Sequence, residues 1–257
     1  MKISQVAVQL YTLRDVLKTR QEVEATLKKV RAIGYPAVQI SGVSAPLDPT
    51  EMAKIISDAG LICCATHEGP EMILDEPHKV VEILKKLNCQ YTAYPWPSNI
   101  DLTNASIVEN FAKKLDAAGA ILRQAGQVLT YHNHAMEFVR YKNTTVLDYL
   151  YSATDPKNLQ GEIDTYWVQF GGGDVVEWCE KLKNRLPLLH LKDFGATHDN
   201  KIFIAEIGNG NLNFKKIISA AEKSGTKWFI VEQDTCPGDP FDSLKQSYDY
   251  IQANLVS

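Results

Sequence analysis

The chain has no run of about 20 apolar residues, the length that a membrane-spanning helix requires. Its first apolar stretch is too short for the core of a secretory signal and is closed by Arg14 and Asp15. Basic residues are not in excess: 27 Lys and Arg face 31 Asp and Glu, for a net charge of −4. That balance disfavours a nucleic-acid binder, which usually presents a basic face. The five cysteines, Cys63, Cys64, Cys89, Cys179 and Cys236, are odd in number and show no CxxC or zinc-ribbon spacing. Reduced thiols in a cytoplasmic protein are the simplest reading. Neither GxGxxG nor GxxxxGK[ST] follows the first apolar run, which argues against an open sheet with a phosphate loop. No Pro/Ser-rich linker or shift in composition divides the chain, so residues 1–257 are read as one domain.

What is present is alternation. Strand-like runs at 3–9, 37–40, 61–66, 90–94, 127–131, 159–163, 187–191 and 228–232 are separated by helical patterns. The helices are expected at 21–33, 50–59, 77–87, 103–125, 145–152, 174–183 and 213–223, with a last one marked by Leu244, Tyr248, Ile251 and Leu255. In 103–125 the apolar stripe reads Ile107, Phe111, Leu115, Ala118 and Leu122. Gly34, Gly60, Gly126 and Gly225 stand where helices end. Gly171, Gly172 and Gly173 are read as serving loop geometry. Strand–helix alternation implies a parallel sheet, and eight units in 257 residues imply an α/β fold closed into a (β/α)8 TIM barrel.

In such a barrel the active site lies at the carboxyl ends of the strands. There the sequence places Tyr131-His132-Asn133-His134 with Glu137 shortly after, Glu162-Ile163-Asp164, His190-Leu191-Lys192-Asp193, and Glu232-Gln233-Asp234. A single histidine or aspartate at a strand end is as readily an ordinary hydrogen-bonding or capping residue. Four consecutive strands that deliver carboxylates and imidazoles to one rim are different, because like charges so gathered need a cation or protons to offset them. One divalent metal ion, Mn, Mg, Co or Zn, suits such a donor set.

The chain resembles the xylose-isomerase-like TIM-barrel superfamily, the sugar phosphate isomerases/epimerases. The motifs are Gln-Leu-Tyr (9–11), Tyr-His-Asn-His-x-x-Glu-Phe (131–138), Ile-Asp-Thr-Tyr-Trp (163–167), Leu-His-Leu-Lys-Asp (189–193), Glu-Ile-Gly-Asn-Gly (206–210) and Val-Glu-Gln-Asp (231–234), spread from the first strand to the last. The resemblance implies a metal held by Asp164, His190 and Glu232 with a ligand from strand five. His132 stands where that family's glutamate falls, and Glu137, five residues on, is the favoured ligand. Trp167 replaces a histidine that many relatives carry, which argues against a multi-zinc nuclease site.

The activity so implied is a metal-dependent sugar isomerase or epimerase that removes a proton α to a carbonyl and stabilises the enediolate. A lyase acting on a keto-cyclitol or 3-keto-glycoside by β-elimination is the alternative. Glu232, His132 or His134 would move the proton. Lys192 would donate to a substrate oxygen, or else pair with Asp193 at the rim. Gln9, Tyr11, His67, Trp96, Trp167 and Glu206 are the candidate substrate contacts, Glu206 alternatively fixing its loop. The expected partner is a small sugar or cyclitol, without nucleic acid or membrane, and a homo-oligomer is compatible with the sequence. No arginine cluster or glycine-rich cradle for a phosphate is seen.

Overall fold

The computed structural model describes residues 1–256. Among them, eight parallel strands close into a barrel in chain order. They are β1 (Val6–Gln9), β2 (Ala37–Ile40), β3 (Ile62–His67), β4 (Tyr91–Tyr94), β5 (Val128–His132), β6 (Leu159–Asp164), β7 (Leu188–Leu191) and β8 (Trp228–Val231). Helices cover the outside, so the fold is a (β/α)8 barrel, as the alternation implies. No helix is long and apolar enough to cross a membrane among the described residues.

The helices begin where their caps are. Thr19 accepts from the amide of Glu22, whose carboxylate takes the amides of Lys18 and Thr19. Asp48 caps the helix Pro49–Asp58, with proline at the first helical position. Gly60 and Gly126 follow their helices at φ of 71° and 78°, a region that favours glycine.

Several expectations are corrected. Residues 3–5 form a 3-10 turn rather than strand, because the Gln5 side chain folds back to accept from the amide of Lys2. The helix Ala105–Gln124 buries Val108, Phe111, Ala112, Leu115, Ala118 and Leu122, while Ile107 is exposed. Two short helices, Pro70–Asp75 and Thr165–Phe170, and two hairpins, Arg140–Tyr141 with Thr144–Thr145 and Asp193–Ala196 with Ile202–Ala205, were not expected from the pattern. All of these are too short to show a period.

Inside the barrel, side chains follow the two-residue period of strands. Ala7, Ala37, Cys64, Ala65, Leu188 and Ile230 pack as a small apolar floor. Two residues further along their strands come Gln9, Gln39, His67, His190 and Glu232, joined by His132, Glu162 and Asp164 from β5 and β6. The barrel is therefore apolar at the bottom and strongly polar above.

Gly119 shows how tightly the outer layer sits. A Cβ there would lie 2.0 Å from the carbonyl oxygen of Asn158, just before β6. Helix propensity alone would favour alanine by about 1 kcal/mol, whereas overpacking costs about 1–3 kcal/mol or more. Gly119→Ala is expected to lower the urea midpoint with an unchanged denaturant slope; a raised midpoint would show that the helix can retreat at no cost.

Candidate active site

The polar upper lumen opens into a pocket of about 450 Å³. Its walls include His67, His132, His134, Trp96, Trp167, Lys192, Glu232 and Tyr11, all candidates from the sequence, together with Asp234, which the sequence places at the rim without a role, and Arg14.

Asp164 is held by the chain around it. One carboxylate oxygen caps the helix Thr165–Phe170 by accepting from the amide of Trp167 at 3.0 Å. Its own amide donates to Asn133 Oδ1 at 3.0 Å, which ties β6 to the end of β5. The second oxygen, Oδ2, is buried and accepts no hydrogen bond. Lys192 Nζ stands 3.0 Å from it, off the hydrogen-bonding direction. The backbone of Lys192 is locked to the Thr165 hydroxyl in both directions.

Lys192 is buried, and its ammonium is within 2.8 Å of Glu232 Oε2 and 3.0 Å of Asp234 Oδ2 as well. It does not pair with Asp193, whose carboxylate instead gathers the amides of Phe194, Gly208, Gly210 and Leu212 and so fixes the loop after β7. His190 lies beside Lys192 with Nδ1 3.0 Å from Glu232 Oε2 and Nε2 2.7 Å from Gln39 Oε1 and 3.1 Å from Glu162 Oε1. Burial works against a charged His190, but Glu162 and Glu232 outweigh it and lift its pKa to about 10. Against strong desolvation, Lys192 and His190 hold Glu232 well below the usual carboxylate range, and His190 with the neighbouring His67 and His132 does the same for Glu162. Asp164 moves the other way, to about 6, because burial there exceeds the attraction of Lys192.

Glu162 is the residue that sequence reasoning passed over. It is fully buried one layer below Asp164, and its Oε1 meets His67 Nε2 at 2.5 Å and His132 Nδ1 at 3.2 Å in addition to His190. Its second oxygen accepts from Gln39 Nε2 at 2.7 Å. The signal was available: Glu162 lies two residues before Asp164 on the same strand and so faces the same side. Arg14 stands in the 3-10 helix Leu10–Val16 that follows β1, and Asp234 in the segment after β8.

Donor atoms of His132, Asp164, His190 and Glu232 lie within 4.8 Å of one another, as do those of His67, His132, Glu162 and His190. His132 Nδ1 and Asp164 Oδ2, one from each kind of donor, are both buried without a hydrogen-bond partner. Orphaned buried donors and acceptors are costly, and a cation would satisfy them, so the donor set fits a metal ion.

Glu137 is not part of either group among the described residues. The 3-10 turn Met136–Phe138 folds it under the loop, where it accepts from the Tyr131 hydroxyl at 2.9 Å and the amide of His134 at 2.8 Å. It is a brace for His134 rather than a member of the cluster, and burial raises its pKa to about 7. Gln9 lies beneath the pocket, its amide donating to Gln39 Oε1 at 3.1 Å and reaching His67 Nδ1 at 3.4 Å. Glu206 is outside the pocket lining and accepts from Ser243 and Gln233, which fixes its loop to the last helix.

With this geometry in view, the chain matches the xylose isomerase-like TIM barrel family over residues 27–254. It belongs to that family. An inosose dehydratase from Geobacillus thermodenitrificans is 28% identical over 155 residues, 54% of this chain and 51% of that protein. The match thus spans about half the length of this curated relative. A sugar phosphate isomerase/epimerase from Parabacteroides distasonis superposes with a TM-score of 0.83 at 24% identity, covering 98% of this chain and 95% of that one. A xylose isomerase-like TIM barrel protein from Mycobacterium smegmatis, in complex with magnesium, superposes with a TM-score of 0.77 at 12% identity over 98% and 97% of the two chains.

Burial also lowers His132 to about 3 and His134 to about 2, so both imidazoles are neutral near pH 7. An unfolded histidine takes its proton below about 6.5, whereas folded His132 stays neutral down to about 3. The unfolded state therefore binds more protons in that window, and His132 removes stability as pH falls. Glu137 and Asp164, with raised values, act in the opposite sense, Glu137 between 4.5 and about 7 and Asp164 between 3.8 and about 6. A His132→Asn variant keeps those two groups and lacks the imidazole. In chelator-treated protein its stability relative to wild type is expected to improve by about 2 kcal/mol between pH 6.5 and 5. A difference that stays flat in urea titrations would contradict a neutral buried His132.

Proposed function

We propose that this barrel removes the proton α to the carbonyl of a keto-cyclitol or keto sugar and expels a β-hydroxyl as water. The observation that carries the reading is that His134 and the buried Lys192 line one pocket of sugar size. Kinship with an inosose dehydratase supports elimination as the outcome.

His134 stands outside both donor groups and packs between Trp96 and Trp167, with ring centroids 4.7 and 5.5 Å away. Its position is set by the Glu137 brace. A substrate carbonyl directed at Lys192 gains a hydrogen bond that strengthens as negative charge forms on its oxygen. That same charge raises the proton affinity of His134, so the imidazole accepts the α-proton. The protonated ring then returns the proton to the departing β-hydroxyl. One C–H and one C–O bond break, a C=C bond forms, and water leaves. A divalent ion held by His132, Asp164, His190 and Glu232 would supply further stabilisation of the enediolate oxygens; a magnesium-bound neighbour of the same fold supports that assignment. Trp96 and Tyr11, both partly exposed at the rim, offer apolar faces to the substrate ring.

A second reading, isomerisation or epimerisation, is favoured by one feature. Glu232, beside Lys192 on the pocket wall, can serve as a second proton carrier, which a mass-conserving reaction needs.

The test is incubation of metal-supplemented protein in D2O with keto-cyclitols, 3-keto-glycosides and ketoses, followed by NMR and mass spectrometry. Loss of water, with α-deuterium exchange confined to the residual substrate, is the expected result, and α-exchange into a product that has lost no water would move the assignment to the second reading. His134→Asn should slow exchange by about 10²–10⁴-fold. Absence of α-exchange across the whole set would overturn the enolising mechanism.

A further inference from the structure

We infer that Cys63 and Cys89 form a reversible modification site, a dithiol that a hydroperoxide closes into one disulfide at the amino-terminal end of the barrel. It goes beyond the proposed reaction and does not depend on it.

Cys63 is the second residue of β3, and Cys89 stands two residues before the start of β4. The two strands run parallel, with Thr66 beside Thr92 and His67 beside Ala93. Carried back along both chains, that register sets Cys63 beside Cys89. Neighbouring strands lie about 4.8 Å apart, inside the roughly 4.4–6.8 Å between Cα atoms that a disulfide spans. Each thiol also leans the same way, donating to the carbonyl oxygen two residues on, Cys63 to Ala65 at 3.6 Å and Cys89 to Tyr91 at 3.3 Å. Both side chains belong to the main apolar core, whereas Cys64 belongs to the floor inside the barrel. All three are free thiols.

The pair is buried but shallow. Cys63 is 8% and Cys89 6% exposed, and their chain neighbours Ile62, Asn88 and Gln90 are exposed. Asn88, at φ 50°, makes the turn that follows the helix Pro77–Lys86 and delivers Cys89 to the sheet. Opening such a turn costs less than unfolding the barrel, and a hydroperoxide is small enough to use the opening. The hydrogen bond to Cys89, and then burial, push the Cys63 thiol well up, so Cys63 keeps its proton and Cys89 is the sulfur that attacks first. The Cys89 sulfur bonds to one peroxide oxygen and the O–O bond breaks. The other oxygen takes a proton and leaves as water or an alcohol. Cys63 then attacks the resulting sulfenic acid at sulfur, its proton goes to the departing hydroxyl, and a water leaves as the S–S bond forms. The two thiols are oxidised by two electrons and the hydroperoxide is reduced by the same two. A small dithiol restores the pair by exchange. The bond closes a loop that contains the helices Pro70–Asp75 and Pro77–Lys86, and it fixes the amino end of the strand whose other end carries His67 to the pocket.

Cys236 is not buried and would compete for the oxidant, so the full chain is prepared with Cys236→Ser. It is treated with hydrogen peroxide and mapped by mass spectrometry of peptides under non-reducing conditions. The expected product has lost two hydrogens and yields a peptide pair joined through Cys63 and Cys89, and dithiothreitol reverses both changes. The urea midpoint of the oxidised form should rise by about 1 M, because the bond restricts the unfolded chain. With Cys63→Ser added, dimedone should trap a sulfenic acid on Cys89. Should that serine unfold the chain, the peptide map of the Cys236→Ser protein decides by itself. The inference is overturned if Cys63 or Cys89 gains oxygen without a link between them, if the link runs to Cys64, or if the midpoint falls on closure. It is equally overturned if both thiols survive peroxide that consumes Cys236 in the unsubstituted chain. Because no turnover is read, a failure of the proposed reaction leaves this result intact.

Discussion

Four carboxylates, Glu162, Asp164, Glu232 and Asp234, are gathered in and just above the barrel lumen, and the arrangement of the site follows from how they are neutralised. Two unit charges about 4 Å apart attract by about 4 kcal/mol at an effective dielectric of 20. Desolvating each ion costs several kcal/mol, so a single buried pair gains little. Lys192 escapes that balance by serving three carboxylates with one desolvated ammonium, and His190 by standing between Glu162 and Glu232. Even so, four carboxylates face two cations. The excess negative charge is what makes a further cation, or a proton on Asp164, favourable there.

The secondary structure outside the lumen keeps this charge in place. Asp164 spends one oxygen on the cap of the helix that follows β6, so only the other is free for the site. Thr165 ties the backbone of Lys192 to the same helix, and Asp193 turns away to organise the loop after β7. Neighbouring residues on one strand end thus point different ways, Lys192 into the pocket and Asp193 into the loop. The same division appears on β5, where Glu137 holds the loop amide of His134 while the two histidines face the pocket.

The barrel was legible in the sequence because period-two strands and period-3.6 helices repeat without interruption, and the rim was legible because polar residues interrupt the apolar strands at their carboxyl ends. Asp164, His190 and Glu232 were found that way and do converge. Glu137 was misplaced because sequence spacing does not reveal a 3-10 turn, which brings a residue five positions on back beneath its own strand. Glu162 was passed over for a different reason. The strand-end pattern brings Glu162 to the rim but gives it no role, because its partners, His67, Gln39 and His190, are far away in the chain. Arg14, in the 3-10 helix after β1, meets the segment after β8 through Arg14 Nη2 donating to the Asp234 carbonyl, a contact 220 residues apart that no local pattern encodes.

His132 is where these constraints meet. It borders Glu162 below, belongs with Asp164 and Glu232 above, and lines the pocket, yet it has only two ring nitrogens. A nitrogen that holds a metal cannot also carry a proton between substrate atoms. With an ion in either group, His132 is committed, and of the two histidines on this loop only His134 keeps its nitrogens outside both donor sets. Under the proposed reaction the doubled histidine at the end of β5 divides the work: one ring would complete a cation site, and the other, two residues on and held by Glu137, would stay available for proton transfer. Removing either would therefore break a different part of the chemistry, although they lie with ring centroids 4.9 Å apart on the same wall.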